Sequence, residues 1–314
     1  MHDVFYMSTD QQISIAIPTY NRSAYLRLCI RLIVAVNKDE DDDIDIYVSD
    51  NASDDNTEEV VRNMMREYEF IRYFRNDISV PPDQNFQKAL LLPDTDYVWL
   101  LGDTYTIPDG TLACVRETLS NSQYDLIIVN VSNRVTDVDE QVFTDKNKLL
   151  SDLGWHMTCL STLIFSRELL KKTDFSRYRD TNFLQTGIIF EYLADKPIKV
   201  KWIPQHSVLG IDVPGVKKKS WEGQTFEIWT KRWANFVFSL PAAYSLDAKM
   251  KCIMDHGFKS KVFTLSALKH LRRKGILNLE TYRNYSRYFP LTIKYPPLLI
   301  RLLAMLPRSV TRLF

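Results

Sequence analysis

Glycine is scarce in this chain, nine in 314 residues, and none falls among residues 17–22, directly after the first strand-like run. That excludes a glycine-rich phosphate loop at this position. The four cysteines (Cys29, Cys114, Cys159, Cys252) form no Cys-x-x-Cys pair. They fit neither a zinc site nor a disulfide framework, and they point to a reducing compartment with apolar, buried thiols. No apolar run approaches the ~20 residues that span a bilayer. Residues 1–12 lack the apolar centre of a secretory signal, so a cytoplasmic location is expected.

Net charge is also lacking, at +1 with 25% charged residues and 45% hydrophobic ones. Wholesale disorder is excluded by that composition. The charge is nevertheless uneven. Residues 39–59 are strongly acidic, whereas from Lys259 onward twelve Lys or Arg face one acid, Glu280.

Strand and helix signals alternate in the first third. β-Rich runs at 13–17, 44–48, 71–74 and 97–101 are separated by helical spacing at 23–36, a helix from about 57, and another at 84–92. Further strands are expected at 126–131, 160–165 and 199–203. The pattern predicts an α/β fold with a mostly parallel sheet. In such sheets ligands bind beyond the carboxyl ends of the strands. The polar segments 18–22, 49–56 and 102–105 should therefore gather on one edge. Taken singly, each reads as turn or helix-cap chemistry; three after successive strands point to a site.

Those segments carry a resemblance. Residues 13–22 (Ile-Ser-Ile-Ala-Ile-Pro-Thr-Tyr-Asn-Arg), 48–57 (Val-Ser-Asp-Asn-Ala-Ser-Asp-Asp-Asn-Thr) and 97–103 (Tyr-Val-Trp-Leu-Leu-Gly-Asp) resemble the family 2 glycosyltransferases, inverting enzymes with the GT-A fold. The similarity covers roughly the first 130 residues, and segments 161–165 and 182–191 look like members that build bacterial surface polysaccharides such as O-antigen and capsule. The resemblance implies a GT-A-like domain over 1–210, with a donor half at about 1–130 and an acceptor half at 131–210. A helical, basic region at 211–314 follows. It implies nucleotide binding by Pro18, Thr19, Tyr20, Arg22, Asp50, Asn85 and Asp103. Thr19 and Tyr20 would line the base pocket, Asp50 would accept from the base, and Asp103 would meet the ribose or a metal. Arg75 or Asn85 would add phosphate or ribose contacts.

One departure from the family pattern concerns the cofactor. An Asp-x-Asp, whose last carboxylate binds Mg²⁺ or Mn²⁺, is replaced by Gly102-Asp103-Thr104-Tyr105. Hard cations prefer carboxylate oxygens. Three readings stay open: Asp103 holds the metal with another group such as Asp109; Arg or Lys offsets the leaving-group charge without metal; or the chain is a catalytically silent nucleotide-binding relative.

Inverting transfer needs one general base for the acceptor hydroxyl. Asp180 and Glu191 are the candidates, with His156, an alternative acceptor-site residue, ranked below Asp180. At the C-terminus, residues 298–313 place Arg301, Arg308 and Arg312 beside an apolar face, and residues 269–274 add more positive charge. This suits an anionic membrane surface and a glycan or polyprenyl-linked acceptor. A terminal helix packed on the protein's own core is the competing reading. No nucleic-acid-binding fold accompanies the basic charge, so a nucleic-acid partner is not expected.

Overall fold

The computed structural model describes residues 12–37, 44–216 and 221–308. The acidic stretch predicted at 39–59 lies partly outside these residues, and Arg312 lies wholly outside them. The chain forms two compact units. The first comprises residues 1–144, 159–177 and 197–216, and the second 145–158, 178–196 and 217–314.

The first unit is built on a nine-stranded sheet among the described residues. Its strands are β1 (Ile13–Thr19), β2 (Ile46–Asp50), β3 (Ile71–Arg75), β4 (Tyr97–Leu100), β5 (Tyr105–Thr106), β6 (Leu126–Val131), β7 (Gln141–Phe143), β8 (Leu163–Ser166) and β9 (Val200–Gly210). The order is β3-β2-β1-β4-β8-β6-β9-β5, with β7 also paired to β9. β1 is buried along its whole length, as a central strand covered on both faces must be. The helices Ser23–Asn37 and Thr57–Glu67 follow β1 and β2 and contribute Leu26, Ile30, Val60 and Val61 to the core beneath.

The sheet is mixed as well as mostly helix-covered. β1 pairs in parallel with β2 and β4, and β2 with β3. β8 runs antiparallel between β4 and β6. Two reversals restore the original direction, so β6 ends on the same edge as β1, β2 and β4. The short β5 and β7, and the extension of β9 past Pro204, exceed what the sequence predicts. A register shift at Val129/Asn130 lets β9 continue past its proline.

The second unit is helical. A cluster of Phe226, Phe263, Leu268, Phe289 and Ile300 forms its C-terminal core. Residues Glu227–Arg232 form a π-helical turn running into the helix Trp233–Ser239. Close packing decides two glycines here. A Cβ on Gly187 would lie 2.3 Å from the Tyr178 ring, and one on Gly257 would lie 2.0 Å from the Thr292 carbonyl oxygen.

Cys29 and Cys252 are buried, as expected, and burial pushes both thiols up. Cys114 and Cys159 are only partly buried.

Candidate functional site

The loops after β1, β2 and β4 meet at the carboxyl edge of the sheet in the first unit. Pro18 and Thr19 end β1, in register with Ser49 and Asp50 of β2. The Thr19 hydroxyl donates to Asp103 Oδ2 at 2.9 Å, and Arg22 Nη1 donates to Asp103 Oδ1 at 3.2 Å. Asp103 follows Gly102, whose N–H donates to Ser161 Oγ at 3.0 Å. Asp103 is only 5% exposed. Burial raises its pKa above the ordinary carboxylate value, while Arg22 and the Thr19 hydroxyl pull the other way. Tyr20, by contrast, is well exposed and offers its ring to solvent at this edge.

Asp50 is fully buried and heavily engaged. Its Oδ1 accepts from the Ser53 N–H at 3.0 Å and the Ser53 hydroxyl at 2.5 Å. Its Oδ2 accepts from the Tyr73 hydroxyl at 2.6 Å and lies 3.8 Å from Arg75 Nε. Arg75 also pairs with Glu58 at 3.4 Å. A carboxylate so held cannot swing away, and its position at the strand end is fixed. The turn after β2 needs left-handed backbone at Ala52 (φ 58), and Asn21 after β1 adopts φ 52. Asn21 N–H donates to Ser53 Oγ and Asn21 Oδ1 accepts from the Asp54 N–H, so the two loops are stitched together.

Asn85 serves the scaffold. Its Oδ1 accepts from Ser49 Oγ at 2.9 Å and from Asn76 at 3.1 Å, and its amide donates to the Ser49 carbonyl. It therefore braces the helix Pro82–Leu91 against β2.

The sequence reading missed Tyr73, Ser53 and Ser161. Tyr73 sits on an edge strand with no motif around it.

The candidate bases belong to the second unit. Asp180 is exposed on a loop with left-handed backbone (φ 63), and its carbonyl accepts from Arg232 Nη1 at 3.3 Å. Glu191 accepts from the Tyr178 hydroxyl at 2.6 Å, and Tyr178 is packed on Gly187. His156 is fully buried, edge-on to Trp155.

The sequence model of the family described as Glycosyl transferase family 2 matches residues 14–182. The chain belongs to this family. It is 33% identical over 190 residues to abequosyltransferase RfbV of Salmonella typhimurium, covering 60% of this chain and 52% of that protein. It is 28% identical over 107 residues to a GalNAc(5)-diNAcBac-PP-undecaprenol beta-1,3-glucosyltransferase of Campylobacter jejuni, covering 34% of each. The aligned stretch thus spans about half the length of the first relative and a third of the second. Among solved structures, S. aureus TarS 1–349 superposes with a TM-score of 0.55 at 14% identity, over 96% of this chain and 87% of that one. The Pyrobaculum calidifontis mannosyltransferase PcManGT, solved with GDP-Man and Mn²⁺, gives a TM-score of 0.53 at 16% identity, over 98% and 88%. At such identities these structures share the GT-A-like fold.

Family 2 implies a divalent cation, and this chain's donor set does not fit one. Both Asp103 oxygens are engaged by Thr19 and Arg22. The next two positions are Thr104 and Tyr105, and Asp109 is exposed. No three His, Cys, Asp or Glu side chains gather as metal ligands among the described residues. A hard cation would find here a single carboxylate, already shared with the Arg22 guanidinium.

Proposed function

We propose that this chain transfers a sugar from a nucleotide-sugar donor to a hydroxyl of a lipid-linked glycan, with inversion, in bacterial surface polysaccharide synthesis. The observation that carries this reading is the convergence of Thr19, Arg22, Asp50 and Asp103 on the carboxyl edge of a family 2 sheet. Asp50 is held to accept a hydrogen bond from the base. Asp103, oriented by Thr19, meets the ribose hydroxyls in this reading. Tyr20 supplies an exposed aromatic face for stacking. The Campylobacter relative is named for an acceptor carried on PP-undecaprenol, which supports a polyprenyl-linked acceptor.

In the reaction the acceptor oxygen attacks the anomeric carbon from the side opposite the diphosphate. The C–O bond to the nucleoside diphosphate breaks as the new glycosidic bond forms. A carboxylate takes the acceptor's proton, and Asp180, exposed on its loop, is our choice for that role. Glu191, tied to Tyr178, reads better as a brace.

The membrane contact we assign to the helix Pro297–Met305. Its Ile300, Leu303 and Ala304 are buried in the second unit's core. Leu298, Leu302 and Met305, at i, i+4 and i+7, are 65%, 53% and 55% exposed. This outer apolar stripe, with exposed Arg301 and Arg308 beside it, fits an anionic bilayer interface. No helix is long and apolar enough to cross a membrane among the described residues. The reading is thus peripheral association at the cytoplasmic face.

The test is turnover of UDP-, GDP-, CDP- and dTDP-sugars with polyprenyl-diphosphate glycans, following release of nucleoside diphosphate and the product's anomeric configuration by NMR. One donor should be consumed with inversion, and Asp180→Asn should lower turnover by about 10²-fold or more. Nucleotide binding with no donor consumed would favour a catalytically silent relative.

A further inference from the structure

Proton removal from an acceptor hydroxyl depends on where the base is held, since a misplacement of about 1 Å can cost on the order of 100-fold in rate. This inference rests on the choice of Asp180 as that base. Asp180 lies on an exposed turn of the second unit, outside helix and strand. What fixes that turn is a side chain from elsewhere in the same unit.

Asp180 (φ 63) and Asn182 (φ 73) both adopt left-handed backbone. Aspartate and asparagine tolerate this conformation best after glycine. Two such residues within three positions still persist only where the surroundings over-determine them. The flanks are fastened. The Thr181 hydroxyl donates to the Tyr178 carbonyl at 2.7 Å and accepts from the Phe183 N–H at 3.0 Å. Tyr178 and Phe183 are both buried, and the Phe183 ring lies 5.6 Å from Trp229 and 5.1 Å from Trp233.

Trp229 belongs to the π-helical turn Glu227–Arg232. A π-helix bonds residue i to i+5 and occurs mostly as single turns, frequently at functional sites. Its wide turn brings residues five apart together, where an α-helix aligns those three or four apart. Glu227 Oε1 thus accepts from Arg232 Nε at 3.3 Å and lies 3.5 Å from Lys231 Nζ. Arg232 Nη1 turns instead to the loop. It donates to the Asp180 carbonyl at 3.3 Å and to Asn182 Oδ1 at 2.7 Å. One guanidinium therefore ties the π-turn to both left-handed residues.

We propose that Arg232 is a positioning residue for the transfer: it holds the loop of Asp180 and Asn182 in its left-handed conformation, and so fixes the carboxylate that takes the acceptor's proton. Arginine suits this role because its planar fork offers donors in several directions at once and stays charged. The two costly backbone features then share one use. The π-turn aims the guanidinium, and the guanidinium holds the loop.

The experiment is steady-state transfer from UDP-, GDP-, CDP- and dTDP-sugars to polyprenyl-diphosphate glycans by the wild type, Asp180→Asn, Arg232→Gln, Arg232→Lys and Lys231→Gln. Arg232→Gln should lower kcat by about 10- to 100-fold. The donor's KM should not move, because the nucleotide residues lie in the first unit. Arg232→Lys should recover part of the loss. Lys231→Gln removes the other cation paired with Glu227 and should keep the wild-type kcat. Since Arg232→Gln could disturb the fold, Asn182→Gly provides a second test. It removes the acceptor of Arg232 while glycine still reaches φ 73 freely, so kcat should fall here too. Joined to Arg232→Gln, it should cost no more than Arg232→Gln alone, as groups acting through one contact do. Wild-type kcat in both Arg232→Gln and Asn182→Gly, or an equal loss in Lys231→Gln, overturns this inference and leaves Asp180 standing as the base. Wild-type turnover in Asp180→Asn overturns both.

Discussion

Thr19 and Asp103 lie 84 residues apart in sequence, and the threonine hydroxyl donates to the buried carboxylate at 2.9 Å. This contact ties the end of β1 to the loop after β4. It also orients the acid that Arg22 reaches from the other oxygen. Removing the donor while keeping the shape tests its worth. Thr19→Val should cost about 1–3 kcal/mol, because one oxygen of a buried carboxylate loses its partner. Urea denaturation with unchanged slope would measure it.

The pH dependence of stability carries a signature of the same residue. Burial first of all sets the Asp103 carboxyl above its ordinary pKa. A group whose folded value is raised contributes stability that is complete below the unfolded value, about 3.9. That contribution is lost as pH rises through the folded value. Asp103→Asn should therefore gain on the wild type as pH climbs above roughly 4. A constant difference from acid to neutral pH would contradict this assignment.

Tyr73 anchors the second carboxylate. Burial and the hydrogen bond to Asp50 push its phenol well above the ordinary tyrosine range. Tyr73→Phe should leave the fold intact at a cost of about 1.5–3 kcal/mol, as a hydrogen bond to a charged group implies. Nucleotide affinity should fall with it, because Asp50 then has a looser set of partners.

In the helical unit, Gly187→Ala and Gly257→Ala should each destabilise by about 1–3 kcal/mol through overpacking. The first meets the Tyr178 ring and the second a backbone carbonyl. Gly223→Ala, where nothing lies within 4 Å of an added Cβ, is the control and should be near neutral. Thermal denaturation distinguishes them.

For the membrane contact, Leu302→Glu should reduce sedimentation with anionic phosphatidylglycerol vesicles while leaving thermal stability within about 0.5 kcal/mol, as expected for an exposed site. An equal change on Ile300, which is buried, should instead unfold the region. Vesicle binding unaffected by Leu302→Glu would remove this helix from the account.

Much of this organisation is legible in the sequence, because strand–helix alternation and polar strand ends are local signals. Residues 13–17, 71–74 and 126–131 read as strands and are strands, and the run read at 97–101 is one through Leu100. The antiparallel insertion of β8 is not local: its hydrophobic run reads alike in either direction, and only the pairing with β4 and β6 fixes it. β5 and β7, two and three residues long, are too short for any periodicity. At the site, Thr19, Asp50 and Asp103 announce themselves through the motifs they occupy. Asn85 is a ligand contact only in what the resemblance implies, and its side-chain amide is engaged by Ser49 and Asn76. Tyr73 has no signature at all, since what places it against Asp50 is an edge-strand register. Asp180 reads as a loop residue and Glu191 as the end of an apolar helical run, but the hold of Tyr178 on Glu191 and of Arg232 on the Asp180 carbonyl depends on residues distant in sequence.

The central claim is that the carboxyl edge of the first unit is a nucleotide site organised by Asp50. Calorimetric titration of UDP, GDP, CDP and dTDP into the wild type and Asp50→Ala, with ribose 5-phosphate as a base-free probe, tests it most directly. One nucleotide should bind the wild type, and Asp50→Ala should weaken it by at least about tenfold while ribose 5-phosphate binding stays the same. A nucleotide affinity indifferent to Asp50→Ala, or no binding by any of the four, would contradict the account.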